Sequence, residues 1–489
     1  MPSLADKDLL SVQEARDLIA RANSAQVALN NMTQAQIDAI VKAVAEAGVR
    51  HAQRLAKMAN EETGFGRYED KVVKNRFASQ ILYDAIKDQK TIGILREDHE
   101  HKIIEMGVPV GVVVGLVPST NPTSTVLFKA LISLKAGNAI IFSPHPNAKD
   151  CILETVRIVA KAAEAAGAPA GAVSTLTIPT LEATQELMKN RGTKIILATG
   201  GEAMVRAAYS SGKPAIGVGP GNGPAFIDKS ADVPMAVKRI LASKTFDNGV
   251  ICASEQSVIV EKAMAARVKD ELIRQGAYFL SDEESKRLAK FILRPNGTMN
   301  PQIVGKSVSH IAQLADLPHV PENARVLIAE ESQVGAKIPY SREKLAPILA
   351  FYVEDDVNAV LEKCVTILRH EGSGHTFCIH ANDEALVKRF AARIPASRII
   401  VNSPGALGGI GATTGLFPSL TLGCGAVGGS SSSNNIGPLD LIDIKRIAYG
   451  VREADELTGE KGSSSPHCAA MPSEALVDAI VQKILKEII

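Results

Sequence analysis

Between residues 111 and 210, short β-branched runs alternate with helical stretches, and no other feature of the sequence constrains the fold as tightly. Residues 111–117 form a buried-strand candidate, 123–135 have helical spacing, and 138–142 (NAIIF) are strand-like again. A helix over 150–166 is closed by Gly167. Residues 172–178 and 194–198 are strand-like, while 181–190 and 201–210 are helical. A strand followed by a helix of this length returns to pair in parallel. The pattern therefore predicts a doubly wound α/β sheet with ligands at the strand C-terminal ends.

A second alternation begins near Ala225, with strands at 256–260, 325–329, 348–353, 375–379 and 399–401, and helices at 263–275 and 382–393. Two α/β lobes follow, joined near 221–224. A chain of 489 residues is too long for one core, at roughly 150 residues per domain. The first hundred residues read as helices. One begins after Ser11, and Thr33 with Gln36 makes a capping box for the next. Residues 102–117 read as extended. Beyond Arg452 the Glu-, Gly- and Ser-rich segment 452–466 reads as a flexible linker. It leads to an amphipathic helix at 467–489, capped by Ser473, with Leu476, Val477, Ile480, Val481, Ile484, Leu485 and Ile488 on one face. Such a helix packs back on its own protein or docks on a partner, and the linker favours docking.

The charge balance, 54 basic against 53 acidic residues, removes the basis for nucleic-acid binding. Aromatics are 4% and Trp is absent, so base-stacking platforms are not expected. No apolar run reaches the roughly 20 residues of a membrane helix. Six scattered cysteines, without a CxxC pair, argue against zinc, any other metal centre of that kind, and a disulfide framework. The start of the chain lacks a basic region followed by an apolar one, so a reducing cytoplasmic setting is expected.

Three segments could serve a site. Cys252 precedes a strand candidate and follows Gly249; it is a nucleophile or a small buried hydrophobe. Thr199, Gly200 and Gly201 follow a strand and open a helix, so they cradle a pyrophosphate or simply turn. The Gly- and Pro-rich segment 217–224 is a hinge or a place where backbone approaches a ligand. Nothing ionisable lies between Lys213 and Asp228.

Together these pieces resemble the aldehyde dehydrogenase superfamily, specifically its CoA-acylating branch. The matching stretches are 118–123 (PSTNPT), 137–146 (GNAIIFSPHP), 199–201 (TGG), 217–224, 249–252 (GVIC), 343–347 (EKLAP) and 418–425 (PSLTLGCG). The resemblance implies an aldehyde dehydrogenase-like α/β fold with a Rossmann-like cofactor lobe and a catalytic lobe. A small strand-exchange element would build a homodimer or homotetramer. On this likeness 1–100 and 119–223 bind NAD and CoA, 224–435 form the catalytic domain, and 101–118 with 436–451 form the oligomerisation element. The loop 430–435 would lie near that contact.

The same likeness assigns roles. Cys252 attacks an aldehyde, hydride passes to NAD, and a thioester is left on sulfur. Asn121 and the Cys252 N–H face the alkoxide. Ser143, where hydrolytic relatives have a Lys, and His145 border the adenosine ribose. Thr199, Gly200 and Gly201 meet the pyrophosphate. Glu343 holds the nicotinamide ribose, or is an exposed Glu at a helix start. Val218 stands where hydrolytic relatives have the glutamate that activates water, which implies transfer to CoA. His145 and His375 are structural or ligand-contacting, and Cys424 is packing. Because the C-terminal helix resembles encapsulation peptides, the expected substrate is propionaldehyde, in propanediol degradation inside a bacterial microcompartment whose shell proteins the helix binds. Acetaldehyde stands second. A hydrolytic enzyme and a non-catalytic scaffold are the other readings.

Overall fold

The structure, a computed structural model, describes residues 6–458. Among the described residues the strands make three sheets. The first is a five-stranded parallel sheet in the order Val173–Thr175, Ile140–Pro144, Val113–Val117, Ile195–Ala198, Ala215–Gly217. Its central strands are buried along their whole length and, apart from Ser143, carry no polar side chain, because both faces are covered. Every residue of the helix Pro122–Lys135 is buried against this sheet and the N-terminal helices. Chain order reverses between Val113–Val117 and Ile195–Ala198, so a crevice opens beyond their C-terminal ends. The buried Lys129 braces that point, with Nζ donating to Leu116 O at 2.6 Å and Leu197 O at 2.8 Å.

The second sheet has seven parallel strands, in the order Ala277–Phe279, Val326–Glu330, Ile348–Glu354, Glu255–Glu261, Gly223–Ile227, Gly374–His380, Ala396–Val401. The chain crosses between the two sheets over residues 218–222, in the expected hinge.

The third sheet is antiparallel: Gly93–Asp98, Ile103–Pro109 and Ile442–Ala448. It corrects two expectations. Residues 93–98 are a strand rather than part of the helical first hundred. Their three charged residues sit on a sheet open to solvent, where apolar patterning is weak. The segment 101–118 divides between sheets, because 113–117 pairs inside the five-stranded sheet. The first helix, Lys7–Leu29, starts before Ser11. Asp6 caps it, whereas the Ser11 hydroxyl bonds Asp8 O and Thr180. The capping box of Thr33 and Gln36 is formed, and that helix runs Gln34–Thr63.

Within the expected linker, Asp455–Thr458 wind one helical turn, after Glu453 N donates to the Glu456 carboxylate at 3.3 Å. The rest of that linker and the expected helix at 467–489 lie outside the described residues. No helix among the described residues is long and apolar enough to cross a membrane.

Candidate active site

A cavity of about 620 Å³ occupies the crevice, and every residue expected at the site lines it. Asn121, the N-cap of Pro122–Lys135, does not cap its own helix, which leaves its amide for other work. Its Nδ2 lies 3.2 Å from Thr120 Oγ1 and 3.4 Å from Val250 O, while its Oδ1 accepts from Lys74 Nζ.

Cys252 arrives through a tight turn. Asp247 (φ 48°), Asn248 (φ 53°) and Gly249 (φ 77°) are all left-handed, a conformation that Asp, Asn and Gly tolerate best. Across the hinge, Gly221 touches the nucleophile's backbone: a Cβ there would lie 1.8 Å from Cys252 O. Cys252 is half-buried, whereas Cys151, Cys364, Cys378 and Cys424 are buried. Burial pushes the Cys252 thiol up to about 12, Glu343 and Cys424 add to this, and Arg398 opposes it. The resting nucleophile is a neutral thiol.

Glu343 is half-buried rather than an exposed helix-start residue, and its Oε1 accepts from Gly221 N at 2.9 Å. Burial, then the nearby Glu371, raises its carboxyl to about 8. Two buried lysines fix its loop: Lys344 Nζ donates to Tyr340 O and Arg342 O, and Lys244 Nζ to Lys344 O. Val218 is buried on the cavity wall beside Phe77 and Ile251.

On the crevice side, the Thr199 hydroxyl is buried without a partner. Gly201 is the N-cap of Glu202–Tyr209, supplies no side-chain cap, and has open space where a Cβ would be. An orphan hydroxyl and an uncapped, open helix start suit a pyrophosphate. Ser143 borders the cavity with its hydroxyl paired to Thr184 at 2.8 Å. His145 Nδ1 accepts from Asn147 N at 3.1 Å, and burial lowers its imidazole. His375 is wholly buried, its Nδ1 is 2.9 Å from Thr376 Oγ1, and burial lowers it to about 3. The sequence reading missed Lys74 and the apolar walls Met299, Leu345, Ile410 and Leu420. Leu345 and Leu420 lie in the matched stretches 343–347 and 418–425, but the likeness gives them no role, whereas no local pattern marks Met299 and Ile410.

Residues 4–313 match the Aldehyde dehydrogenase family. The chain belongs to that family. A probable aldehyde dehydrogenase from Listeria monocytogenes EGD-e is 64% identical, with a TM-score of 0.91, covering 93% of this chain and 100% of that one. An acetylating aldehyde dehydrogenase from Geobacillus thermoglucosidasius is 52% identical, with a TM-score of 0.90, covering 92% and 99%. The bifunctional aldehyde-alcohol dehydrogenase AdhE of Escherichia coli (strain K12) is 47% identical over 90% of this chain and 50% of its own. The chain thus spans about half the length of the curated relatives it matches first. The propionaldehyde dehydrogenase of the Clostridium phytofermentans fucose utilisation bacterial microcompartment is 26% identical, with a TM-score of 0.80, over 89% of this chain and 97% of that one. This aldehyde dehydrogenase is therefore more similar to the acetylating protein than to the propionaldehyde one.

Proposed function

We propose that this chain is an NAD-dependent acetylating aldehyde dehydrogenase, converting acetaldehyde and CoA to acetyl-CoA. The observation that carries the reading is the cavity wall at Cys252. Val218 presents an aliphatic side chain there, and the hinge around it has no carboxylate. Glu343, whose charge acts on the Cys252 thiol, has its Oε1 engaged by Gly221 N. The hinge thus offers no carboxylate at Cys252 to activate water.

Sulfur of Cys252 adds to the aldehyde carbon as its S–H proton passes to solvent water, and the carbonyl π pair moves to oxygen. Asn121 Nδ2 and the Cys252 N–H stabilise that alkoxide where its charge develops. NAD, when bound at Thr199, Gly200 and Gly201, supplies the hydride acceptor. The resulting acyl group stays on Cys252 as a thioester. The CoA thiol then attacks the acyl carbon, the C–S bond to Cys252 breaks, and the enzyme thiol is regenerated. An exchange between two thioesters loses little bond energy, so a thiol acceptor suits a hinge without a carboxylate. Ser143 and His145 border the adenosine side.

Two further elements rest on sequence pattern. The strand Ile442–Ala448 ends its sheet with Ile444 42% exposed, which supports pairing between copies in a homodimer or homotetramer. The apolar spacing of 476–488 supports docking on shell proteins of a microcompartment in the cytoplasm. Deleting 467–489 is expected to spare activity and abolish shell association; association that survives rejects the docking.

The test of substrate is a ladder of aldehydes with NAD and CoA, the products identified by mass spectrometry. Acetaldehyde is expected to give the highest kcat/KM and acetyl-CoA as product. A maximum at propionaldehyde restores the substrate expected from the sequence.

A further inference from the structure

Three charged side chains are buried together behind Asn121. Lys74 and Lys71, on the helix Tyr68–Arg76, are 2% and 3% exposed, and Asp247 is 0% exposed. Lys74 Nζ donates to Asp247 Oδ2 and to Asn121 Oδ1. Lys71 Nζ donates to Asp247 Oδ2 at 3.2 Å and to Thr120 O at 3.2 Å. Asp247 Oδ1 accepts from Arg67 N at 2.6 Å, and Asp247 N donates to Asp70 Oδ2 at 2.9 Å.

Taking such charges out of water is costly, and apolar residues of similar volume are often as stable. Fold stability alone therefore gives little reason for this cluster. Its connections give a better one. Asp247 opens the left-handed turn that delivers Cys252, and Asn121 faces the same cavity. An ammonium has only donors, and an amide has one oxygen. With Oδ1 committed to Lys74, Nδ2 is held on the opposite side of the amide, where it meets Thr120 Oγ1 at 3.2 Å and Val250 O, on the Cys252 segment, at 3.4 Å.

We propose that Lys74 is a positioning residue: anchored by Asp247, it fixes the orientation of the Asn121 amide so that N–H, not C=O, faces the reacting oxygen. A flipped amide would aim a lone pair at the alkoxide and oppose the reaction. The inference rests on the proposed function, in which Asn121 is the oxyanion donor.

A double-mutant cycle tests it, read as the single-turnover rate of NADH formation on the purified full chain. Asn121→Ala is expected to slow that step by roughly 10²-fold or more, the loss typical of an oxyanion donor. Lys74→Met is expected to slow it by a similar factor, with KM for aldehyde changed less than about threefold, since only the transition state gains charge. The double variant should be no slower than Asn121→Ala alone, because Lys74 acts through that side chain. Losses that multiply, or a Lys74→Met enzyme at full rate, overturn the inference and leave the proposed function standing. An Asn121→Ala enzyme at full rate removes both. Should Lys74→Met fail to melt cooperatively, Lys74→Gln replaces it in the same cycle. Gln can donate or accept, so it no longer dictates the flip, and the same non-additivity is expected and the same outcomes overturn it.

Discussion

Gly221 and Cys252 meet so closely that a Cβ on Gly221 would stand 1.8 Å from the Cys252 carbonyl oxygen. The hinge and the nucleophile loop are therefore one packed unit, and a side chain at 221 must displace backbone. Gly221→Ala is expected to lose stability by about 1–3 kcal/mol, the usual cost of overpacking. It should lose activity by far more, because the sulfur moves. Denaturant melts and kcat on the same preparation check this. A fully active Gly221→Ala would show that the contact is soft.

The raised carboxyl of Glu343 has a pH signature. Its folded value, about 8, lies above the ordinary 4.5, so between these values the folded state holds more proton than the unfolded one. Stability then falls as pH rises through that window. Glu343→Gln keeps an acceptor for Gly221 N and removes the titration. Relative to wild type it should gain stability from pH 5 toward pH 8 and level off above; melting temperatures across that range measure the difference. A constant gap would place the ionised form in a solvated site.

Alkylation of Cys252 reports the state of the nucleophile. Burial holds its thiol at about 12, so little thiolate exists near neutrality. Iodoacetamide should label it more slowly than a free cysteine at pH 7. The rate should rise about tenfold per pH unit up to pH 10, as expected when only the thiolate reacts. A plateau below pH 8 would instead indicate a thiolate already formed in the unliganded enzyme.

Thr199 separates binding from stability. Its hydroxyl is buried without a partner, so Thr199→Val should leave the melting temperature unchanged or slightly raised. The same change should raise KM for NAD severalfold with KM for aldehyde unaltered. An unchanged KM for NAD would remove Thr199 from the cofactor site.

The parts of this fold that are buried on both faces were readable as sequence. Val113–Val117 and, up to Ser143, Ile140–Pro144 are apolar runs, buried throughout because helices cover them from both sides. Gly93–Asp98 was not, since a strand with a solvent face and charged residues has no such run. Thr199, Gly200 and Gly201 showed as a turn between strand and helix. Placement alone, however, did not separate Cys252 from the other cysteines; the likeness to a family did, and the cavity supplies the physical difference. Lys74 and Asp247 are 173 residues apart, and a lysine among the charges of Tyr68–Arg76 reads as a solvated face. No local pattern could have joined them.

The central claim is that an acyl group on Cys252 waits for a thiol. It is tested most directly by mixing enzyme with acetaldehyde and NAD in excess while withholding CoA. NADH should form in one burst of at most one equivalent per Cys252 and then stop, resume on adding CoA, and be absent in Cys252→Ala. Sustained NADH and free acetate without CoA would contradict it.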